Sequence, residues 1–124
     1  MREPKNTFVQ IFPSAARTAT VNSSDRRNAR HSGVRLHVDV TAITSSPSIV
    51  VKIQGKDAIT GDYRDILSSA AITATGDTYM EVWPGATAAT NAAVNGKLGG
   101  MWRVVVTHAN ANAITYAITA EMLV

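Results

Sequence analysis

The chain contains no cysteine, and that absence alone excludes disulfide staples, thiolate zinc sites, iron–sulfur clusters and thiol nucleophiles. Aromatic residues are only 6% of its 124 residues and charged residues only 17%, against about a quarter charged in an ordinary soluble domain. No stretch reaches the roughly 18 consecutive apolar residues of a membrane helix, so no membrane association is expected. Met1-Arg2-Glu3-Pro4-Lys5-Asn6 is followed by no apolar run of signal-peptide length. What the chain does have is alanine and threonine in abundance. Its length allows one domain, or one domain with an arm, and such a chain buries roughly two-thirds of its unfolded surface without staples. A weakly charged surface rich in Ala, Thr and Ser fits a protein largely covered by neighbours.

Charge is concentrated at the front. Residues 1–35 carry seven basic residues against Glu3 and Asp25, a net of +5, whereas residues 36–124 carry five basic and seven acidic residues, a net of −2. Such a segment suits either nucleic acid or an acidic protein surface. No aromatic residue interleaves Arg17, Arg26, Arg27, Arg30 and Arg35, so bases have nothing to stack on. The expected partner is therefore a protein and not nucleic acid.

Period-two alternation dominates the rest. Val34, Leu36, Val38, Val40 and Ala42 alternate with Arg35, His37, Asp39 and Thr41, the pattern of a half-buried strand. Ser45-Ser46-Pro47-Ser48 breaks it, and Ile49, Val51 and Ile53 resume it. Further strands are expected at Tyr63–Leu67, Ala70–Thr75, Thr78–Trp83 and Met101–His108, with a long one carrying Ile114, Tyr116, Ile118, Ala120 and Met122. Gly55-Lys56-Asp57 and Gly61-Asp62 bracket a hairpin loop. Residues 86–100 show no strand periodicity and have room for one helical turn. Thr7–Phe12 and Ala16–Val21 resemble short strands, and NSSDRRNARHSG between Val21 and Val34 reads as a mobile loop or arm. The fold expected is all-β: an antiparallel β-sandwich or small barrel of about seven to nine strands over residues 34–124, with residues 1–33 as an extended basic arm.

The pattern carries no chemistry. His31, His37 and His108 have no metal-ligand spacing, so no metal or other cofactor is expected. There is no Gly-x-Ser-x-Gly turn, and His37 with Asp39 are two neighbours on one strand face. Asp57, Asp62 and Asp65 are ordinary residues of a turn. Gly96-Lys97-Leu98-Gly99-Gly100 lacks phosphate-loop spacing. No catalytic residue is assigned, and the chain is not expected to be an enzyme. Trp83, just before Pro84-Gly85, is a candidate interface anchor if exposed.

Three segments resemble small β-rich virion proteins of tailed bacteriophages: VRLHVDVTAITSSPSIVVKIQGKDAITGDYRDIL, AAITATGDTYMEVWPG and WRVVVTHANANAITYAITAEMLV. The resemblance covers about residues 34–124 and implies a virion component. Within a virion, a small Ala/Thr-rich β domain with a basic arm suits a capsid decoration protein on the outer surface of the head. Its partner would be the major capsid protein, whose carboxylates Arg17, Arg26, Arg27, Arg30 and Arg35 would meet, with Trp83 as anchor. A homo-oligomer, such as a trimer, accords with shell symmetry. Two other readings stand beside it: a tail, neck or head-completion protein, and a glycan-binding module using the residue 53–67 hairpin, with Tyr63 or Trp83 against a sugar.

Overall fold

The computed structural model describes residues 5–124. Within them lie ten strands and no helix: β1 (Thr7–Arg17), β2 (Val21–Asn22), β3 (Arg26–Arg27), β4 (Gly33–Ile43), β5 (Ile49–Lys56), β6 (Tyr63–Ser68), β7 (Gly76–Trp83), β8 (Ala93–Asn95), β9 (Met101–His108) and β10 (Ile114–Leu123). One sheet has the order β1-β10-β4-β7-β8; the other runs β2-β9-β5-β6, with β3 also on β9. All pairs are antiparallel except β7 with β8. The result is a two-sheet sandwich and not a closed barrel.

Alternation explains the layering. Val34, Leu36, Val38 and Val40 on β4 lie opposite Met122, Ala120, Ile118 and Tyr116 on β10, and all eight are buried. The facing sheet contributes Ile49, Val51 and Ile53 from β5 and Trp102, Val104 and Val106 from β9. Each strand thus gives one row to the core and turns the other outward.

The division at residue 34 does not exist in the pairing. β1 joins the first sheet along nearly all of β10, from Thr7 opposite Met122 to Arg17 opposite Ile114. β2 and β3 join the second sheet through β9, so residues 7–27 belong to the sandwich and are not an arm. Ile11 and Phe12 are core residues, and Val9 and Val21 pack against the core. The register shifts between Gln10 and Phe12 and between Phe12 and Ala15, which interrupts the sequence alternation. Pro13 sits in that irregular stretch on an edge strand, where a missing N–H is tolerated. Residues 1–4, with Arg2 and Glu3, lie outside the described residues.

Two other segments depart from expectation. Ala70–Thr75 is no strand; only Ile72 bridges back, to Ile49. In place of the helical turn expected in residues 86–100, a single tight turn closes on the Ala89 carbonyl, which accepts the amides of Ala92 and Ala93. Asn91 at φ 61° takes it out of a right-handed helix, and short β8 follows, parallel to β7 through Glu81–Ala93, Val82–Val94 and Trp83–Asn95. Gly33 marks a close approach: a Cβ there would run into the backbone of Val82 and Trp83.

Candidate functional site

The front arginines take separate places. Arg17 serves the fold itself. Its guanidinium donates to the carbonyls of Tyr116 at 2.9 Å and Pro13 at 2.7 Å. It also lies 4.6 Å from the Tyr116 ring centroid and 5.4 Å from that of Phe12, so it staples irregular β1 to β10. Arg26 is half-buried and donates to the Gln10 carbonyl at 3.3 Å. Arg35 sits between Glu81 at 3.1 Å and Glu121 at 3.4 Å, a rung across β7, β4 and β10. These three therefore have partners inside the sandwich. Trp83 is half-buried, with Gly85 packed close to its ring and its indole nitrogen enclosed, so it is not an exposed anchor.

Arg27 and Arg30 are different. Both are exposed and have no hydrogen-bond or ion-pair partner among the described residues. The loop that carries them is nonetheless held firmly. The Asn28 amide nitrogen donates to the carbonyls of His31 at 2.7 Å, Gly99 at 3.2 Å and Leu98 at 3.3 Å, while its side-chain oxygen accepts the His31 amide at 3.0 Å. Backbone bonds from Asn28 to Gly100 and from Leu98 to Ser32 tie the loop to residues 97–100. An open hollow of about 670 Å³ lies between them, lined by Arg30, His31 and Lys97 and by no Asp or Glu. A second hollow shares Asn28, Arg30 and His31 with the first and is also lined by Arg26 and Arg27. The outcome is a basic end of the sandwich, with Arg27 at the end of β3 and Arg30 and Lys97 presented on a pinned loop pair. Such fixed charge favours an anionic partner because little ordering entropy is lost on contact. Asn28 and Lys97 were invisible as site residues in the sequence, since only the fold brings positions about 70 residues apart together.

Two solved structures share this fold. One is the SPBc2 prophage-derived protein YomS, at TM-score 0.52 and 12% identity, the match covering 98% of this chain and 96% of that one. The other is from the Gx strain of infectious bursal disease virus, at TM-score 0.57 and 8% identity; it covers 97% of this chain, which spans only 33% of the viral one. At these identities the likeness is one of fold. No family model and no curated protein sequence matches the chain.

The hairpin singled out for sugars is built differently from a sugar platform. The Arg103 guanidinium lies 3.5 Å from the Tyr63 ring centroid and the Lys56 ammonium 5.2 Å from it, so cations already occupy the ring. The Tyr63 hydroxyl donates to Asp25 at 2.7 Å, and Lys56 pairs with the same carboxylate. These two hydrogen bonds hold the Asp25 carboxyl below its usual pKa. The Asp57 carboxylate accepts the amides of Ile59 and Thr60, which lowers its pKa and fixes its own loop. Among the described residues no group of three His, Asp or Glu side chains is placed to share a metal ion.

One titratable group is poorly solvated. Both ring nitrogens of His108 are enclosed without a hydrogen-bond partner among the described residues. Burial lowers its pKa, and the Arg17 charge lowers it further. In the unfolded chain it takes a proton near the ordinary value of about 6.5. Between that value and the lower folded value the unfolded state binds more protons, so stability falls as pH falls. We expect the midpoint of urea unfolding to decline from pH 7 to pH 5 and the decline to flatten in His108→Phe. An equal slope in the variant would assign the effect elsewhere. The lowered Asp25, Asp57 and Asp65 values act below about pH 4, outside this window.

Proposed function

We propose that the chain is a non-enzymatic structural protein of a phage particle, a decoration protein that seats its basic end on the carboxylates of the major capsid protein at the outer surface of the head. The observation that carries this is the pinned basic end: Arg27 at the end of β3, and Arg30 and Lys97 on ordered loops with no carboxylate side chain lining the hollow between them. The fold likeness to a prophage-derived protein over nearly the whole of both chains, and to part of a viral chain, supports the setting. The mechanism is linkage: a ligand that binds only the assembled shell stabilises it by mass action. Copies that each touch more than one subunit gain from multivalency.

The test is co-sedimentation of the purified protein with heads that lack it. The triple variant Arg27→Glu/Arg30→Glu/Lys97→Glu should bind at least about tenfold more weakly, with its thermal midpoint close to the parent's because all three side chains are exposed. Binding by the folded variant at parental strength would overturn the assignment of the basic end.

A further inference from the structure

The outward rows of the two sheets carry opposite charge. On the β10-β4-β7 face, Asp39, Asp77, Glu81 and Glu121 stand against Arg35 alone, a net of −3 with His37 neutral. Between the acids, Thr115, Ala117 and Thr119 give a low floor, and Tyr79 and Phe8, 58% and 77% exposed, are large apolar surfaces beside them. On the opposite face Arg27, Lys52, Lys56 and Arg103 stand against Asp25 and Asp65, a net of +2. That face is ordered by its own bonds: Arg103 to Gln54 at 2.9 Å, Gln54 to Asp65 at 2.8 Å, Lys52 to Asp65 at 3.3 Å and Lys56 to Asp25 at 2.6 Å. One sandwich thus bears an acidic face and a basic face on opposite sides.

We infer that copies of this chain associate head to tail, the acidic β10-β4-β7 face of one copy docking on the basic β9-β5-β6 face of the next. Charge complementarity selects a second copy as the occupant, because the same molecule carries both partners of the contact. Like faces would repel, so a two-fold contact of either face with itself is disfavoured. A contact between different faces is heterologous and builds a ring where the rotation closes, or an open stack where it does not. Three strands about 4.8 Å apart, with about eight residues at about 3.3 Å each, make a face of roughly 400 Å². Two copies then cover roughly 800 Å², the size of a weak, transient contact and below that of a stable one. The association should therefore be weak, concentration-dependent and sensitive to salt. This inference does not rest on the virion reading. Because the triple variant above changes Arg27, which takes the basic face from +2 to 0, the basic-face variants used here change Lys52 and Arg103 and keep Arg27, Arg30 and Lys97.

Sedimentation velocity at low salt is the test. The parent should show a mass that rises with concentration and collapses to monomer in high salt. Asp39→Lys/Asp77→Lys turns the acidic face to a net of +1, and Lys52→Glu/Arg103→Glu turns the basic face to a net of −2. Each variant alone should associate about tenfold more weakly, because its two faces now match in sign. An equimolar mixture should regain association, since the reversed face of one fits the reversed face of the other. If a reversal prevents folding, as judged by circular dichroism, Asp39→Asn/Asp77→Asn and Lys52→Gln/Arg103→Gln replace it, each expected to weaken association singly. A parent that stays monomeric at low salt overturns the inference. So does a mixture of folded reversed variants that does not associate, and so does association that responds to changes in one face only.

Discussion

Removing residues 1–33 is expected to abolish cooperative folding. The truncation takes away β1 to β3, and with them Ile11 and Phe12 from the core and Val9 and Val21 from its margin. Each fully buried side chain of this kind contributes about 1.5–3 kcal/mol, while a whole domain is stable by only about 5–15 kcal/mol. Several such losses together are comparable with the whole. The cut also strips the Arg17 staple from Tyr116 and bares the backbone edges of β10 and β9, which invites aggregation. The fragment 34–124 should show no sigmoidal unfolding transition by circular dichroism and should bind a hydrophobic dye. A transition near that of the full chain would mean that residues 7–27 are dispensable to the sandwich.

Trp102→Ala is expected to be the most damaging single change. The indole is 1% exposed, on β9 between Arg26 of β3 and Gly55 of β5. Truncating a buried Trp costs about 3–5 kcal/mol through lost transfer energy and the cavity left behind. An opposing effect is present: the indole N–H has no partner among the described residues, a penalty of about 1–3 kcal/mol. The packing loss exceeds it, so the net is destabilising. Trp102→Phe separates the two, because it removes the N–H and keeps most of the ring. We expect it to cost no more than about 1.5 kcal/mol. Urea unfolding followed by circular dichroism compares the three proteins. Equal losses in Ala and Phe variants would contradict the packing account.

The two β-sheets were legible where a strand declares itself locally. Val34 to Ala42 and Ile114 to Met122 alternate, and both lie in long strands with one buried row, although on β4 that row ends at Val40 and Ala42 is exposed where the register with β10 shifts. β5 and β9 likewise follow from Ile49, Val51, Ile53 and from Trp102, Val104, Val106. What failed depends on distant partners. β1 reads as two fragments because of its register shifts around Phe12, and only pairing with β10, about a hundred residues away, makes it one strand. β8 has three residues and no pattern of its own; the parallel edge of β7 creates it. Ala70–Thr75 has strand-like residues but a single bridge at Ile72.

The interaction surface was legible only in part. Composition placed positive charge in the first 35 residues, but charge count cannot say which arginine has a partner. Arg17 finds carbonyls and two rings, Arg26 a carbonyl, and Arg35 two glutamates. Of those partners Tyr116, Gln10, Glu81 and Glu121 are remote in sequence, while Pro13 and Phe12 are Arg17's neighbours along β1. Arg27 and Arg30 keep their place in the basic end because Asn28 pins their loop to residues 97–100.

The most direct test of the functional reading is the copy number of this chain, relative to the major capsid protein, in purified particles made from the genome that encodes it. Quantitative mass spectrometry supplies that ratio. Decoration of the head predicts hundreds of copies per particle. A count of about a dozen or fewer would contradict decoration and place the chain at a neck or tail, and complete absence from the particles would contradict the structural role altogether.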